Sequence, residues 1–401
     1  METKEIYLDN NATTRPLPEI IKSMLPVLSN AFGNPSSSHS AGERTRKYIN
    51  EARKQIGDLI GAHPENIVFT SSGTEANNMA FYTCTKNRDK TCRILTTPVE
   101  HSSIRKMCNF LSINGVEVVN FSIDSKGHLD IDQISNLTKE DFDLVSIQWV
   151  NNETGVIQPI EEIVKICHDN GKLFHTDAAQ AVGKMDLNLK EIPVDFLALT
   201  GHKFHSPQGI GALYCSDRFI LTPIFFGGFQ EEGFRPGTEN VSGIVGMGKA
   251  AEIRREKLND YINKMRELRD YFESSILDSI PNTSVNGDPL NRVCNTTNIM
   301  FGGIDGRVLL KQLDQEGIRC SQTSACINSQ PDPSFVLKAM GLSDEEAYSS
   351  VRFSFSIENT MNEVDQAIKT IIKACERLRY VTHQFNLFSI SLSLYLVSFI
   401  T

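Results

Sequence analysis

Asp177 and Lys203 stand 26 positions apart, each at the end of a short apolar run. A carboxylate so placed can pair with a protonated ring nitrogen, or it can cap the helix that follows. A lysine kept partly deprotonated by its surroundings can form a Schiff base with a carbonyl, and is otherwise a solvated loop residue. Upstream, Ser71, Ser72, Gly73, Thr74 and Glu75 follow the run that ends at Thr70 and precede a helical stretch. Small residues there let backbone N–H groups approach an anion at a helix N-terminus, although an ordinary capped helix start looks the same. His101, shortly after the run ending near Thr97, is placed to stack on a ligand or protonate it, or to be a hydrogen-bonded loop histidine. Each segment alone is ambiguous. Together they supply an anion loop, a carboxylate and an amine, which is what pyridoxal 5'-phosphate requires of its protein.

The surrounding pattern places these segments. Asn66–Thr70, Arg93–Thr97, Val116–Phe121, Leu144–Trp149, Lys172–Thr176, Asp195–Thr200 and Gly211–Tyr214 read as strands, with amphipathic helices between several of them. One such helix, 160–170, carries Ile160, Ile163, Val164 and Ile166–Cys167 on one face and stops at Gly171. Alternating strands and helices predict an α/β domain around a mostly parallel sheet, whose ligands bind at the carboxyl ends of the strands. A long helical region follows over 242–277, and then Asn298–Phe301, Ile318–Cys320 and Val351–Phe355 read as strands of a smaller α+β domain.

Length and composition agree with two domains. The chain has 401 residues, 40% hydrophobic and 22% charged, with a formal net charge of -9 and no basic tract, which argues against direct nucleic-acid binding. Nine cysteines without a CxxC pair give neither a disulfide framework nor a zinc site, so no intrinsic metal is expected. The reducing compartment this implies, with a charged and non-apolar N-terminus, points to the cytoplasm. The uncharged run Phe385–Thr401 is at the short limit for a membrane span, and its serine–leucine alternation also reads as a strand. A tail anchor, a packed tail and an irregular end are the three readings.

The chain resembles the cysteine desulfurases of the NifS and IscS kind. The likeness runs in order through Tyr7–Thr14 (YLDNNATT), Phe32–Ser36, Phe69–Glu75, Val99–His101, Val150–Gly155 (VNNETG), His175–Lys184, Gly201–Lys203, Arg235–Asn240, Ser324–Cys326 and Val351–Ser354. It covers residues 5 to about 380 and is nearest the nitrogen-fixation type. The resemblance implies a fold type I transferase, with a seven-stranded sheet in a large domain over 15–258. A small domain over 1–14 and 259–380 would carry the active-site loop, leaving 381–401 as the apolar tail. It further implies that Lys203 carries pyridoxal 5'-phosphate, that Asp177 holds the ring nitrogen, and that Gln180 and Asn152 lie near the phenolic oxygen with His101 over the ring. Gly73, Thr74, Thr200 and His202 would bind the phosphate, and Thr238 would reach that of a second subunit in a homodimer. Arg352 would grip the carboxylate of L-cysteine, with Asn152 beside it.

Cys326 lies in the polar segment Ser321–Ser334, which contains two prolines and reads as a loop. Its alternatives are an unremarkable loop thiol and the nucleophile that takes sulfur as a persulfide. Position in the chain, by the resemblance, favours the second. Persulfide sulfur would pass to an acceptor protein, an iron–sulfur scaffold by default or a thiolation enzyme. In a scaffold complex Cys326 would ligate a nascent cluster only transiently. Desulfurases serving transfer-RNA thiolation or DNA phosphorothioation, a selenocysteine lyase, a true aminotransferase and a non-catalytic membrane-tethered partner are the competing readings. Gly227–Arg235 departs from the family, with Glu232 where arginine is usual, and so do Gln322–Thr323, Asn328–Asp332 and the segment after Phe355.

Overall fold

A computed structural model describes residues 5–86, 92–137, 139–140, 142–322 and 332–397, with 381–397 as backbone alone. The predicted α/β architecture is present. Seven strands form one sheet in the order Ile67–Thr70, Gly211–Cys215, Phe196–Thr200, Leu173–Asp177, Leu144–Ser146, Arg93–Thr96 and Glu117–Asn120. Only Gly211–Cys215 runs against its neighbours, so the other six point the same way.

Central strands are buried almost throughout because helices cover both faces. Along Phe196–Thr200, Leu197 and Leu199 enter one core with Phe174, Ile163 and Met247, whereas Phe196 and Ala198 enter another with Phe81, Met79 and Ile104. That is the two-residue period of a strand, sorting side chains to opposite faces. Helix Ile160–Asp169 buries Ile160, Ile163, Val164 and Cys167, the face its periodicity predicts. Gly171 takes φ +66, the left-handed turn that ends it.

A second layer is built from Ser350–Ser354, Thr296–Phe301 and Thr283–Val285, antiparallel in that order. Beside it Ile6–Tyr7 pairs with Ile318–Arg319 in parallel, so the start of the chain packs with its last third. Phe272, Phe301, Phe353 and Phe355 fill the core here with Ile6 and Leu8. Helix Val241–Ser279 joins the two layers. Ile244, Met247 and Ala251 sit in the large-sheet core and Leu268, Phe272 and Ile276 in the other, with a break from helical backbone at Lys257.

Several strands differ from expectation at an end, Leu144–Trp149 shortening to Leu144–Ser146, and two expectations later in the chain also change. The strand at Ile318 ends at Arg319, leaving Cys320 just outside it. The serine–leucine alternation does not make a strand: the last helix runs Met361–Val397 without interruption. Extending a formed helix needs no new nucleus, so a segment of mixed propensity follows the helix it is attached to. Among the described residues, no helix is long and apolar enough to cross a membrane.

Candidate active site

The carboxyl ends of the parallel strands meet a cavity of about 180 Å³ at one edge of the sheet. Gly73, Thr74, His101, Asn152, Asp177, Gln180, Thr200, His202, Lys203 and Arg352 all line it. Thr238 does not. It is exposed and lines a separate hollow with Ser71, Arg235 and Asn240. Cys326 lies outside the described residues.

One end of the cavity is the start of helix Gly73–Thr85. Ser72 is its extended N-cap, and its Oγ accepts from the Glu75 N–H at 3.2 Å. Glu75 reaches back to the Ser71 N–H at 2.8 Å and takes the Arg235 guanidinium, also at 2.8 Å. Burial pushes the Glu75 carboxyl up, but the bonds from Arg235 and Ser71 outweigh it and hold the group below its usual range. A helix cannot satisfy its own first N–H groups, so those of Gly73 and Thr74 remain as donors for an anion. Gly211 makes the close approach possible: a Cβ there would stand 2.6 Å from the Ser72 carbonyl carbon.

Asp177 ends its strand almost fully buried. Its Oδ2 accepts from Asn77 Nδ2 at 2.8 Å and its Oδ1 from the Ala179 N–H at 3.0 Å. Asn77, one turn into the helix that begins at Gly73, donates also to Ser103 Oγ at 2.9 Å. His101 caps the next helix, where its Nδ1 accepts from the Ser103 N–H at 3.2 Å. The neutral ring therefore carries its proton on Nε2. Burial lowers the His101 pKa and Lys203 adds to the effect, against the pull of Asp177.

Burial also depresses His175 to about 4, and His202 and His205 to about 3. Each binds a proton when unfolded below about 6.5 but not when folded, so stability is lost as pH falls through that window. Buried Glu100, raised to about 8, has the opposite sign: the stability it contributes is present below 4.5 and lost as pH rises toward 8. Three histidines outweigh one glutamate. Stability should fall between pH 6.5 and 4.5 by on the order of 2 kcal/mol per pH unit. Urea midpoints that match at pH 7 and pH 5 would contradict this.

On the opposite wall, Lys203 Nζ donates to the carbonyls of Asn11 at 2.6 Å and Ala12 at 2.7 Å. The Asn11 carbonyl also accepts from Gln180 Nε2 at 3.0 Å. Arg352 is 1% exposed, with Nη1 on the Asn152 carbonyl at 3.0 Å and Nη2 on Asp9 Oδ1 at 2.6 Å. Its Nε is buried without a partner among the described residues. Asn152 is presented by a turn that Asn151 builds, with Oδ1 accepting from the Glu153 and Thr154 N–H groups, both at 2.9 Å. Gly155 closes that turn at φ +80.

Both flanks of the Cys326 segment are tied close to this wall. Ser321 donates to Asp9 Oδ2 at 2.8 Å, and Ser334 donates to Glu153 at 2.5 Å. Sequence reasoning did not single out Asp9, Asn11, Asn77 or Gln148. Asp9 and Asn11 were visible only as members of the Tyr7–Thr14 stretch, and Asn77 only as one helical turn beyond Gly73. Of the departing residues, Glu231 has its side chain buried on Arg53 and on the Phe69 N–H, whereas Glu232 is exposed and lines a hollow with Arg46 and Arg53 rather than the cavity.

Residues 6–367 match the family described as aminotransferase class-V. The chain is 44% identical to cysteine desulfurase 2 of Trichormus variabilis and 41% identical to cysteine desulfurase NifS of Azotobacter vinelandii. Each alignment covers 94% of both partners. A solved NifS-like protein superposes with a TM-score of 0.88 at 33% identity, over 93% of this chain and 100% of that one. The chain belongs to the class-V aminotransferases and, among them, to the cysteine desulfurases.

Proposed function

We propose that the protein takes sulfur from L-cysteine, releases L-alanine and holds the sulfur as a persulfide on Cys326. The observation that carries this reading is the convergence of the Lys203 amine, the Asp177 carboxylate, the Arg352 guanidinium and a helix N-terminus on one cavity. The donor set fits pyridoxal 5'-phosphate. Gly73, Thr74, Thr200 and His202 suit the phosphate, Asp177 the ring nitrogen, His101 the ring face, and Gln180 and Asn152 the phenolic oxygen. Gln148 Oε1 and Asn77 Oδ1, on two further lining residues, are buried without a partner among the described residues, as expected of a pocket built around a polar guest.

When bound, the coenzyme supplies an electron sink that acidifies the Cα–H of an attached amino acid. Lys203 Nζ would hold the coenzyme and would be the base that takes the Cα proton. Arg352 is already oriented by Asp9 and Asn152 and offers its remaining N–H groups, including the buried Nε, to the substrate carboxylate. The Cys326 thiolate attacks the substrate sulfur. An S–S bond forms, the Cβ–S bond breaks, and Cβ takes a proton to become the alanine methyl. Of the eight described cysteines, seven are buried. Burial pushes Cys108, Cys167, Cys215 and Cys375 up to about 12 and raises Cys294 and Cys320, which leaves them poor thiolates.

The acceptor is an iron–sulfur scaffold in this reading, supported by the nitrogen-fixation likeness. The working unit is a homodimer in the cytoplasm in which exposed Thr238 reaches the partner's phosphate. The test is alanine formation from L-cysteine by the coenzyme-loaded chain, with its visible band near about 390–420 nm. Arg352→Lys, which loses the two-pronged grip, should raise KM for cysteine by roughly tenfold or more with a smaller change in kcat. A coloured chain that makes no alanine overturns the activity; an unchanged KM overturns the role of Arg352.

A further inference from the structure

Lys184 is 3% exposed, lies just behind the cavity wall, and has no carboxylate among its hydrogen-bond partners in the described residues. Burying such an amine is costly, and desolvation, with like charge from Lys203 behind it, pushes its pKa well down. What it does with its hydrogens is specific. Nζ donates to Asn11 Oδ1 at 3.0 Å and to Gln180 Oε1.

Those two bonds decide how both amides face. With the Gln180 oxygen turned to Lys184, its Nε2 must point the other way, where it meets the Asn11 carbonyl at 3.0 Å. That carbonyl is the one that holds Lys203 Nζ at 2.6 Å. The Asn11 side chain is fixed in the same manner. Its Oδ1 also accepts from Asn295 at 3.1 Å, and its Nδ2 donates to Thr296 Oγ1 at 2.8 Å and to the Asn152 carbonyl at 3.2 Å. Gln180 and Asn11 line the cavity, and Lys184 does not.

We propose that Lys184 is a positioning residue that locks the Gln180 amide with its N–H side toward the coenzyme's phenolic oxygen and steadies the Asn11 segment on which Lys203 rests. The inference rests on the coenzyme reading above. An N–H donor stabilises the anionic phenolic oxygen, whereas a flipped amide presents a carbonyl lone pair to it. Without Lys184 the flip is open. With the coenzyme bound, a proton at its phenolic oxygen would then be held more tightly.

The charged and titratable groups around this point are Asp177, His101, His202, Lys203 and Arg352 on the cavity, with Arg254 and Cys294 near Lys184. All are retained in the test variants. In the coenzyme-loaded protein, Lys184→Met should move the pH midpoint of the visible absorption band upward by about one unit, roughly a tenfold change in proton affinity, the scale of one neutral hydrogen bond. Loss of a positive charge would give the same direction, so the decisive comparison is the Gln180→Leu background. There the Lys184→Met shift should vanish if Lys184 works through that amide.

An unmoved midpoint, or the same shift in both backgrounds, overturns the proposal. If Lys184→Met gives no folded chain, Lys184→Leu, which also removes both donations, is titrated in the same two backgrounds against the same outcomes. A wild-type chain that takes up no coenzyme overturns the functional reading and this inference with it, whereas a coloured wild type with an unmoved variant overturns this inference alone.

Discussion

Lys203→Ala should give a folded chain that lacks the visible coenzyme band and makes alanine from cysteine at least about 10³-fold more slowly. Two losses combine in that figure. The amine anchors the coenzyme, and the same atom takes the Cα proton, a general-base contribution of roughly 10²–10⁴. The fold should tolerate the change. Nζ is held by two backbone carbonyls, those of Asn11 and Ala12, and both belong to the segment that Lys184, Ser354 and Thr296 fix independently. Lys184 is a second lysine beside this segment. Its Nζ is committed to Asn11 and Gln180 and it does not line the cavity, so it should not take over. The check is an absorbance spectrum of the reconstituted variant together with alanine measured by mass spectrometry. A variant that stays coloured and turns over near the parent rate would show that Lys203 is not the attachment point.

How much of this was legible in the chain depends on the distance over which each signal acts. The large sheet was readable because its strands are short apolar runs covered on both faces, and such burial leaves a local mark in residue type. Asp177 and Lys203 were readable for the same reason: each follows a recognisable strand, and an open α/β sheet binds ligands at that end. Lys184 carried no such mark. Its role is set by Asn11, 173 positions away, and by the way two amides face, which no periodicity encodes. Asp9 likewise acquires meaning only when Arg352 and Ser321 arrive beside it. The tail shows the opposite failure, where local alternation suggested a strand but continuity with a preceding helix decided the backbone.

Cys326→Ser should leave the visible band and cysteine binding nearly intact while lowering alanine formation by about 10³-fold or more. The coenzyme-facing residues are untouched by this change, which is why colour and turnover should separate. An alcohol is far from ionised at neutral pH and is a weak nucleophile toward sulfur, whereas an exposed thiol is a few per cent thiolate and intrinsically reactive. Replacement from within the chain is not expected. Cys320, six residues earlier, is half-buried, and desolvation with Asp9 beside it raises its thiol far above neutrality. Cys108, Cys167, Cys215 and Cys375 are buried in helices or the sheet, with pKa values pushed up to about 12. The direct readout is the intact mass after exposure to cysteine: the parent should gain about 32 Da on the peptide containing Cys326, and the serine variant should gain nothing there or elsewhere. Added sulfur on another cysteine of the variant, with alanine still forming, would move the nucleophile to that residue. Alanine formation at the parent rate without any added mass would remove the persulfide from the reaction altogether.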